Sequence, residues 1–205
     1  MTLGMASCAT TTMKSSKYLE EVQPVLAASF RAEGQAGMDR LTPDEANRLC
    51  SQSEYEGKTL SDKQTEQIRN NNFKTIKWPS NGQFIGDYTQ GEIIAQDGRG
   101  KTWSDKEGSV NGGNCYNCHQ ITQEEISHGT IGPSLYHYGK IRGVTDPNSA
   151  AAKPIVEYTW GKIWNAKAYN ACSNMPRAGH MGILNQEQVR HIVALLLDPQ
   201  SPVNK

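Results

Sequence analysis

The most distinctive pattern in the sequence is a pair of cysteines followed directly by a histidine. Residues 115–119 read Cys-Tyr-Asn-Cys-His, a C-x-x-C-H signature that is typical of covalent haem attachment. Two thiols at this spacing can each form a thioether bond to a haem vinyl group, and the histidine can bind the iron. We therefore expect one covalently attached haem c, with Cys115 and Cys118 holding the ring and His119 as an axial iron ligand.

A C-x-x-C pair also occurs in zinc sites and in redox-active disulfides. A zinc ribbon needs a second pair of ligands at similar spacing, and the sequence contains no second C-x-x-C. A thioredoxin-like site needs a β-α-β context, which the surrounding residues do not indicate. Haem attachment is therefore favoured. Because it takes place in oxidising compartments outside the cytoplasm, we expect a periplasmic location.

The second axial ligand is expected to come from a loop near the C-terminus. Met175 lies in an Asn-Met-Pro-Arg segment, where the proline disfavours a helix, just before the last predicted helix. A methionine thioether in this position would complete a His/Met pair with His119. The alternatives are His180, Met181, and an iron whose sixth position is open or bound by a histidine.

Several polar groups could support such a haem. A carbonyl in the Gly132-Pro133 turn is the expected acceptor for the second ring N–H of His119. Arg142 and Arg177 could either pair with the haem propionates or lie in solvent.

Three further histidines, His128, His137 and His191, are expected to have structural roles. His137 lies between two tyrosines and is predicted to pack near the haem edge. His191 lies on the last helix beside an arginine and is predicted to lie at the surface.

The remaining cysteines are Cys8, Cys50 and Cys172. In an oxidising compartment Cys50 and Cys172 could form one disulfide, and the alternative is a pair of buried thiols. The sequence does not decide between the two.

Helix-start signals dominate the N-terminal part of the chain. A helical pattern covers residues 17–32 with an expected interruption at Pro24. Thr42 followed by Pro43 predicts a second helix with Thr42 as its N-cap. Ser61 and Gln64 predict a capping box that opens a third helix, ending near residue 70.

The rest of the chain is loop-rich before it becomes helical again. Residues 79–113 contain many Gly, Asp and Ser residues, with a weak strand signal near residues 91–95. Further helices are expected at the cysteine pair and over residues 156–167. The apolar spacing over residues 186–197 predicts a C-terminal helix capped by Asn185.

These elements predict an all-α protein with a class I cytochrome c-like helical fold around one covalent haem and an N-terminal helical extension. Residues 1–16 are expected to be a tail or the remnant of a signal peptide. Residues 17–90 would form the helical extension, and residues 91–205 the cytochrome c domain.

Composition excludes several classes of protein. The 205 residues carry 21 Lys+Arg and 21 Asp+Glu, so no basic excess is available for nucleic acid or an anionic membrane surface. No apolar run is long enough to predict a membrane span. Hydrophobic residues make up only 36% of the chain, so we expect the haem to fill part of the core and the haem-free chain not to fold compactly.

Several segments together resemble the SoxX family, the monohaem cytochrome subunits of the SoxAX complex of bacterial thiosulfate oxidation. They are residues 112–120 (Gly-Gly-Asn-Cys-Tyr-Asn-Cys-His-Gln), 129–135 (Gly-Thr-Ile-Gly-Pro-Ser-Leu), 174–177 (Asn-Met-Pro-Arg) and 197–204 (Leu-Asp-Pro-Gln-Ser-Pro-Val-Asn). The match is strong over residues 111–205 and loose over the N-terminal helices.

The resemblance implies a role as the electron-accepting subunit of an L-cysteine S-thiosulfotransferase-type complex. A SoxA-type cytochrome subunit would handle the sulfur chemistry, conjugating thiosulfate to a cysteine of the SoxYZ carrier. This chain would accept the electrons and pass them to a small cytochrome, with no bond-making site of its own.

Two other functions use the same residues. A free-standing periplasmic class I cytochrome c would share every haem residue but would have no use for the extra N-terminal helices. A haem-based gas sensor or peroxidase would need an open sixth iron position.

Overall fold

The computed structural model describes residues 17–205, with side chains from Glu20 onward. The predicted tail, including Cys8, lies outside the described residues. The α-helices are α1 (Lys17–Ser29), α2 (Glu45–Glu56), α3 (Asp62–Phe73), α4 (Tyr88–Gln96), α5 (Tyr138–Ile141), α6 (Lys153–Trp164) and α7 (Gln186–Leu197). Short 3-10 helices cover Met38–Leu41, Cys115–Asn117, Ala166–Ala168 and Pro202–Asn204. Within residues 17–205 extended pairing is limited to one isolated bridge, so the expected all-α class is confirmed.

The N-terminal helices follow their sequence signals with two exceptions. Pro24 lies inside α1, so the expected interruption is absent from this helix. Helix α2 is capped by Asp44 rather than Thr42, because the Asp44 carboxylate accepts a hydrogen bond from the Asn47 amide at 2.8 Å. The capping box predicted at Ser61 is confirmed.

Helix α4 replaces the weak strand signal near residues 91–95. Gly91 and Ala95 are both buried on one face of α4, which packs against α7. A Cβ atom at Gly91 would lie 2.2 Å from the His191 carbonyl oxygen, so only glycine allows the two helices to approach this closely. The glycine that weakens a local helix prediction is therefore the residue that the helix contact requires.

Helix α7 is the centre of the main hydrophobic core. Asn185 is its N-cap, as predicted, and also forms a capping box with Gln188; the predicted apolar positions of the helix are buried. Ala194 and Leu195 are fully buried as well, so α7 is enclosed on more than one face. It packs against α4, α5 and α6, and these contacts place the C-terminal part of the chain around one core.

A second, smaller cluster attaches the N-terminal helices. Ala46 of α2 and Ile68 of α3 are buried against Ala171. Next to this cluster, Cys50 and Cys172 form a disulfide with a Cα–Cα distance of 5.5 Å. The structure therefore contains the disulfide, not the two buried thiols.

The predicted helix over residues 156–167 ends early. Helix α6 stops at Trp164 because Asn165 adopts an extended conformation and its side chain accepts from the Lys167 amide. The Asn165 amide group also donates to Asn72 Oδ1 and Thr75 Oγ1, each at 2.9 Å. The break in the helix thus joins α6 to the end of α3.

Within residues 17–205, no helix combines the length and apolar character that crossing a bilayer requires.

Candidate haem site

The two cysteines of the C-x-x-C-H signature lie on a single 3-10 turn. The Cys115 carbonyl accepts hydrogen bonds from the Cys118 amide at 3.1 Å and from the His119 amide at 2.9 Å. The helix expected here is reduced to this one turn, because loop amides occupy the carbonyls that a longer helix would use. Gly129 donates to the Tyr116 carbonyl and Gly132 to the Cys118 carbonyl, each at 2.8 Å.

Both motif cysteines are free thiols and both are half-buried. Cys115 packs against the main core, and burial, with a smaller contribution from Cys118, raises the pKa of its thiol to about 12. At neutral pH this thiol is protonated and uncharged, unlike the low-pKa thiolate of a redox-active pair.

His119 is oriented by the carbonyl that the sequence analysis expected. Its Nδ1 donates to the Pro133 carbonyl oxygen at 2.7 Å, which leaves Nε2 with its lone pair. Gly132 lies directly against the ring, since a Cβ atom there would be 2.2 Å from His119 Cε1. The imidazole is therefore held in one orientation with one nitrogen available to a metal.

Tyr116, between the two cysteines, fixes the motif to α4. Its hydroxyl donates to Glu92 Oε1 at 2.9 Å and lies 3.3 Å from Thr122 Oγ1. Burial raises the pKa of Tyr116 to about 12, so the phenol stays protonated as a hydrogen-bond donor. Sequence reasoning missed this group because the C-x-x-C-H pattern places no requirement on residue 116, and α4 was not predicted as a helix.

Met175 lies in a loop at the edge of the main core. Its side chain is half-buried and packs against the same core as Cys115. Its backbone amide donates to Ser173 Oγ at 3.2 Å. The alternatives differ in exposure: His180 is exposed, and Met181 is 49% exposed.

The two arginines have partners within the protein. The Arg142 guanidinium lies 3.6 Å from the centre of the Tyr138 ring and donates to the Tyr138 carbonyl. Arg177 is buried and pairs with Asp44 Oδ2 at 2.5 Å, so of the two alternatives for Arg177 the solvated charge is excluded.

The other histidines have structural contacts. His137 stacks on Tyr136 at 3.8 Å and contacts the Lys205 carbonyl oxygen, while His128 lies 3.3 Å from the Gly129 carbonyl. His191 has a side chain only 18% exposed, and its Nδ1 accepts from the Asp87 amide at 2.9 Å. The surface position predicted for His191 is wrong, because its ring supports the start of α4.

The donor set fits a covalently attached haem. It combines an imidazole with Nε2 available, two free thiols one turn apart and a thioether on the same core. Within residues 17–205 no three or more His, Cys, Asp or Glu side chains lie together in a way that could hold a metal ion directly.

Comparison with known proteins agrees with this geometry. Residues 98–198 match the family model for cytochrome c. This part of the chain is a cytochrome c domain. With the helical structure, the match confirms the expected all-α class I cytochrome c fold and supports covalently bound haem c and electron transfer. Helices α1–α4 precede the matched residues.

A relative from Aquifex aeolicus (strain VF5), described as an uncharacterized lipoprotein, is 39% identical over 132 residues. The aligned region is 64% of this chain and spans 59% of the length of the relative. The similarity therefore extends beyond the matched cytochrome c domain without covering either protein completely.

Proposed function

We propose that the chain transfers electrons through a single haem c, which Cys115 and Cys118 would hold covalently and whose iron His119 and Met175 would bind. The observation that carries this proposal is the hydrogen bond from His119 Nδ1 to the Pro133 carbonyl. It leaves Nε2 free in the same motif as two half-buried thiols that are one turn apart. When bound, the haem supplies a centre that gains and loses one electron.

The residues of the chain would tune that centre in two ways. The Pro133 carbonyl raises the basicity of the His119 imidazole and holds its orientation. The Met175 thioether is neutral and soft, so a His/Met pair favours the reduced iron more than a His/His pair does. Neither role requires a proton transfer, which suits a site whose task is electron transfer.

Spectroscopy of two variants tests the ligands. The wild-type protein should show c-type haem absorption and, when oxidised, the weak charge-transfer band of iron–thioether ligation. Met175→Ala should lose that band but keep covalent haem, whereas Met181→Ala, the matched control, should keep both. A band that survives in Met175→Ala would discard Met175 as a ligand.

We propose further that the chain is a SoxX-type electron-accepting subunit in the periplasm. Its partners would be a SoxA-type cytochrome, the SoxYZ carrier through the complex, and a small cytochrome that takes the electrons. Support comes from the resemblance of the haem-binding and C-terminal segments, and from α2 and α3, which add surface beyond the cytochrome c domain. Bond-making chemistry would belong to the partner subunit.

Co-purification tests the complex. Tagged protein expressed with its native partners should retain a second cytochrome, and thiosulfate should reduce its haem only when that partner and the carrier are present. The second candidate is a free-standing class I carrier, favoured by the match of residues 98–198 to a general cytochrome c model. A protein that stays monomeric with the partner present would support this carrier.

The disulfide supports a location outside the cytoplasm. Disulfides such as Cys50–Cys172 persist in oxidising compartments, where c-type haem is also attached. The lipoprotein description of the Aquifex relative is consistent with an extracytoplasmic location. Cell fractionation, with mass spectrometry of the mature protein, should find a haem-bearing chain outside the cytoplasm.

A further inference from the structure

The segment that contains Met175 is held at both ends by the same helix. Before Met175, Cys172 forms a disulfide with Cys50 in α2. After Met175, the Arg177 guanidinium pairs at 2.5 Å with Asp44, the N-cap residue of α2. Residues 172–177 therefore span a short distance between two attachments to α2, and we call them the Met175 segment.

Helix α2 is itself fixed to the rest of the protein. Ala46 of α2 and Ile68 of α3 pack on Ala171, directly before the Met175 segment. Asn72 in the last turn of α3 and Thr75 just after that helix accept hydrogen bonds from Asn165. Because α2 and α3 are anchored to residues 165–171, they can act as a rigid support for the segment that follows.

The ion pair at the second attachment lies in a partly buried setting. Arg177 has a side chain only 9% exposed, and nearby Lys167 is also buried. Burial and the charge of Arg177 lower the pKa of Lys167, whereas the Asp44 carboxylate acts in the opposite direction on it. Without the charge of Asp44, two neighbouring buried cations would favour a rearrangement of the Met175 segment.

We propose that Cys50 and Asp44 are positioning residues for the Met175 thioether, which they act on through Cys172 and Arg177. This inference rests on the proposed ligation of iron by Met175. By restricting the Met175 segment, α2 lowers the population of states in which the sulfur has left the iron. The N-terminal helices thus keep the sixth position occupied, in addition to any partner contacts they make.

Imidazole binding to the oxidised holoprotein measures that population directly. External imidazole binds iron only when the methionine has dissociated, so its apparent affinity rises in proportion to the dissociated fraction. The Cys50→Ser/Cys172→Ser variant should bind imidazole about tenfold more tightly than wild type, and Asp44→Asn about threefold more tightly. Asparagine is as good an N-cap as aspartate, so the second variant removes the charge and keeps the cap.

Two control variants separate positioning from general destabilisation. Glu45→Gln removes a charge one residue along α2 and should leave the imidazole affinity unchanged. Asn185→Ala removes the N-cap of α7, away from the Met175 segment, and should lower stability without a matching rise in affinity. Asp44→Glu keeps a carboxylate at this position and should therefore bind imidazole nearly as weakly as wild type does.

The outcomes distinguish this proposal from the ligand assignment. If wild type binds imidazole as tightly as Met175→Ala does, Met175 is not the ligand and the proposed ligation fails. If Met175→Ala binds more tightly but Asp44→Asn and the cysteine variant match wild type, the positioning role alone is overturned. If the cysteine variant does not fold, the imidazole affinity of Asp44→Asn is compared with that of Glu45→Gln. Equal affinities would then overturn the positioning role.

Discussion

The segments that bear the two proposed iron ligands are held in place by different kinds of interaction. The His119 side depends on main-chain hydrogen bonds within residues 115–135, including those from the amides of Gly129 and Gly132. The Met175 side depends on side chains from far away in sequence, since Cys50 and Cys172 are separated by 122 positions.

This contrast explains how two halves of one site can differ in robustness. The hydrogen bonds of the attachment turn are local in sequence, and the contact that Tyr116 adds to them comes from the nearby helix α4. A loop fixed by a disulfide and an ion pair needs α2 to be present and correctly placed. We therefore expect the His119 side to withstand changes in the N-terminal helices and the Met175 side to be sensitive to them.

The largest effect should come from preventing haem attachment, which removes the centre that both sides share. In Cys115→Ser/Cys118→Ser the covalent link is lost, and we expect the cooperative unfolding transition to disappear because the chain has few hydrophobic residues. Circular dichroism during urea titration measures this. A cooperative transition like that of the holoprotein would show that the polypeptide packs around its own core without haem.

The second largest effect should come from removing the disulfide. In the chain-entropy model, opening a loop closed across 122 positions costs about 5 kcal/mol of stability, an upper figure for Cys50→Ser/Cys172→Ser. Guanidinium unfolding of the holoprotein should show the loss. Covalent haem and the hydrogen bond from His119 should persist in this variant. If the variant also lost its covalent haem, the His119 side would depend on α2 after all.

Gly132→Ala should affect the His119 side of the site. The new Cβ atom would lie 2.2 Å from His119 Cε1, so the ring has to move and its hydrogen bond to Pro133 is strained or lost. We expect a destabilisation of about 3 kcal/mol and a shifted reduction potential, measured by unfolding and by redox titration. Gly98→Ala is the matched control, because its Cβ would have only an ordinary contact at 3.8 Å.

Sequence reasoning succeeded where the determinants are local. The caps at Ser61 and Asn185 and the apolar spacing of α7 each depend on residues within a few positions of one another. The same holds for the turn carbonyl that accepts from His119, since the turn follows the motif closely.

The errors occur where tertiary contacts decide. Gly91 belongs to a helix because α7 packs against it, and the pattern near residue 91 carries no sign of that neighbour. The helix expected at Cys115 shortens to one 3-10 turn because residues further along the chain take its carbonyls. Asp44 and Arg177 are each ordinary surface-type residues in the sequence, and only the fold brings them together. The support for Met175 was therefore the least predictable part of the candidate site.

The smallest expected effect concerns the pH dependence of the Asp44–Arg177 pair. Burial alone would raise the pKa of Asp44, but hydrogen bonds from Asn47 and Arg177 outweigh it and hold the pKa below the usual 3.8. A carboxyl whose pKa is lowered by folding stabilises the folded state above its unfolded pKa, and this contribution is lost as pH falls through the folded value. Asp44 is 42% exposed, so solvent screening limits the contribution to under about 1 kcal/mol.

In guanidinium unfolding, wild type should be more stable than Asp44→Asn at pH 7, and the difference should shrink below about pH 4. If the difference stays constant down to acidic pH, the ion pair adds nothing and the disulfide alone holds the Met175 segment.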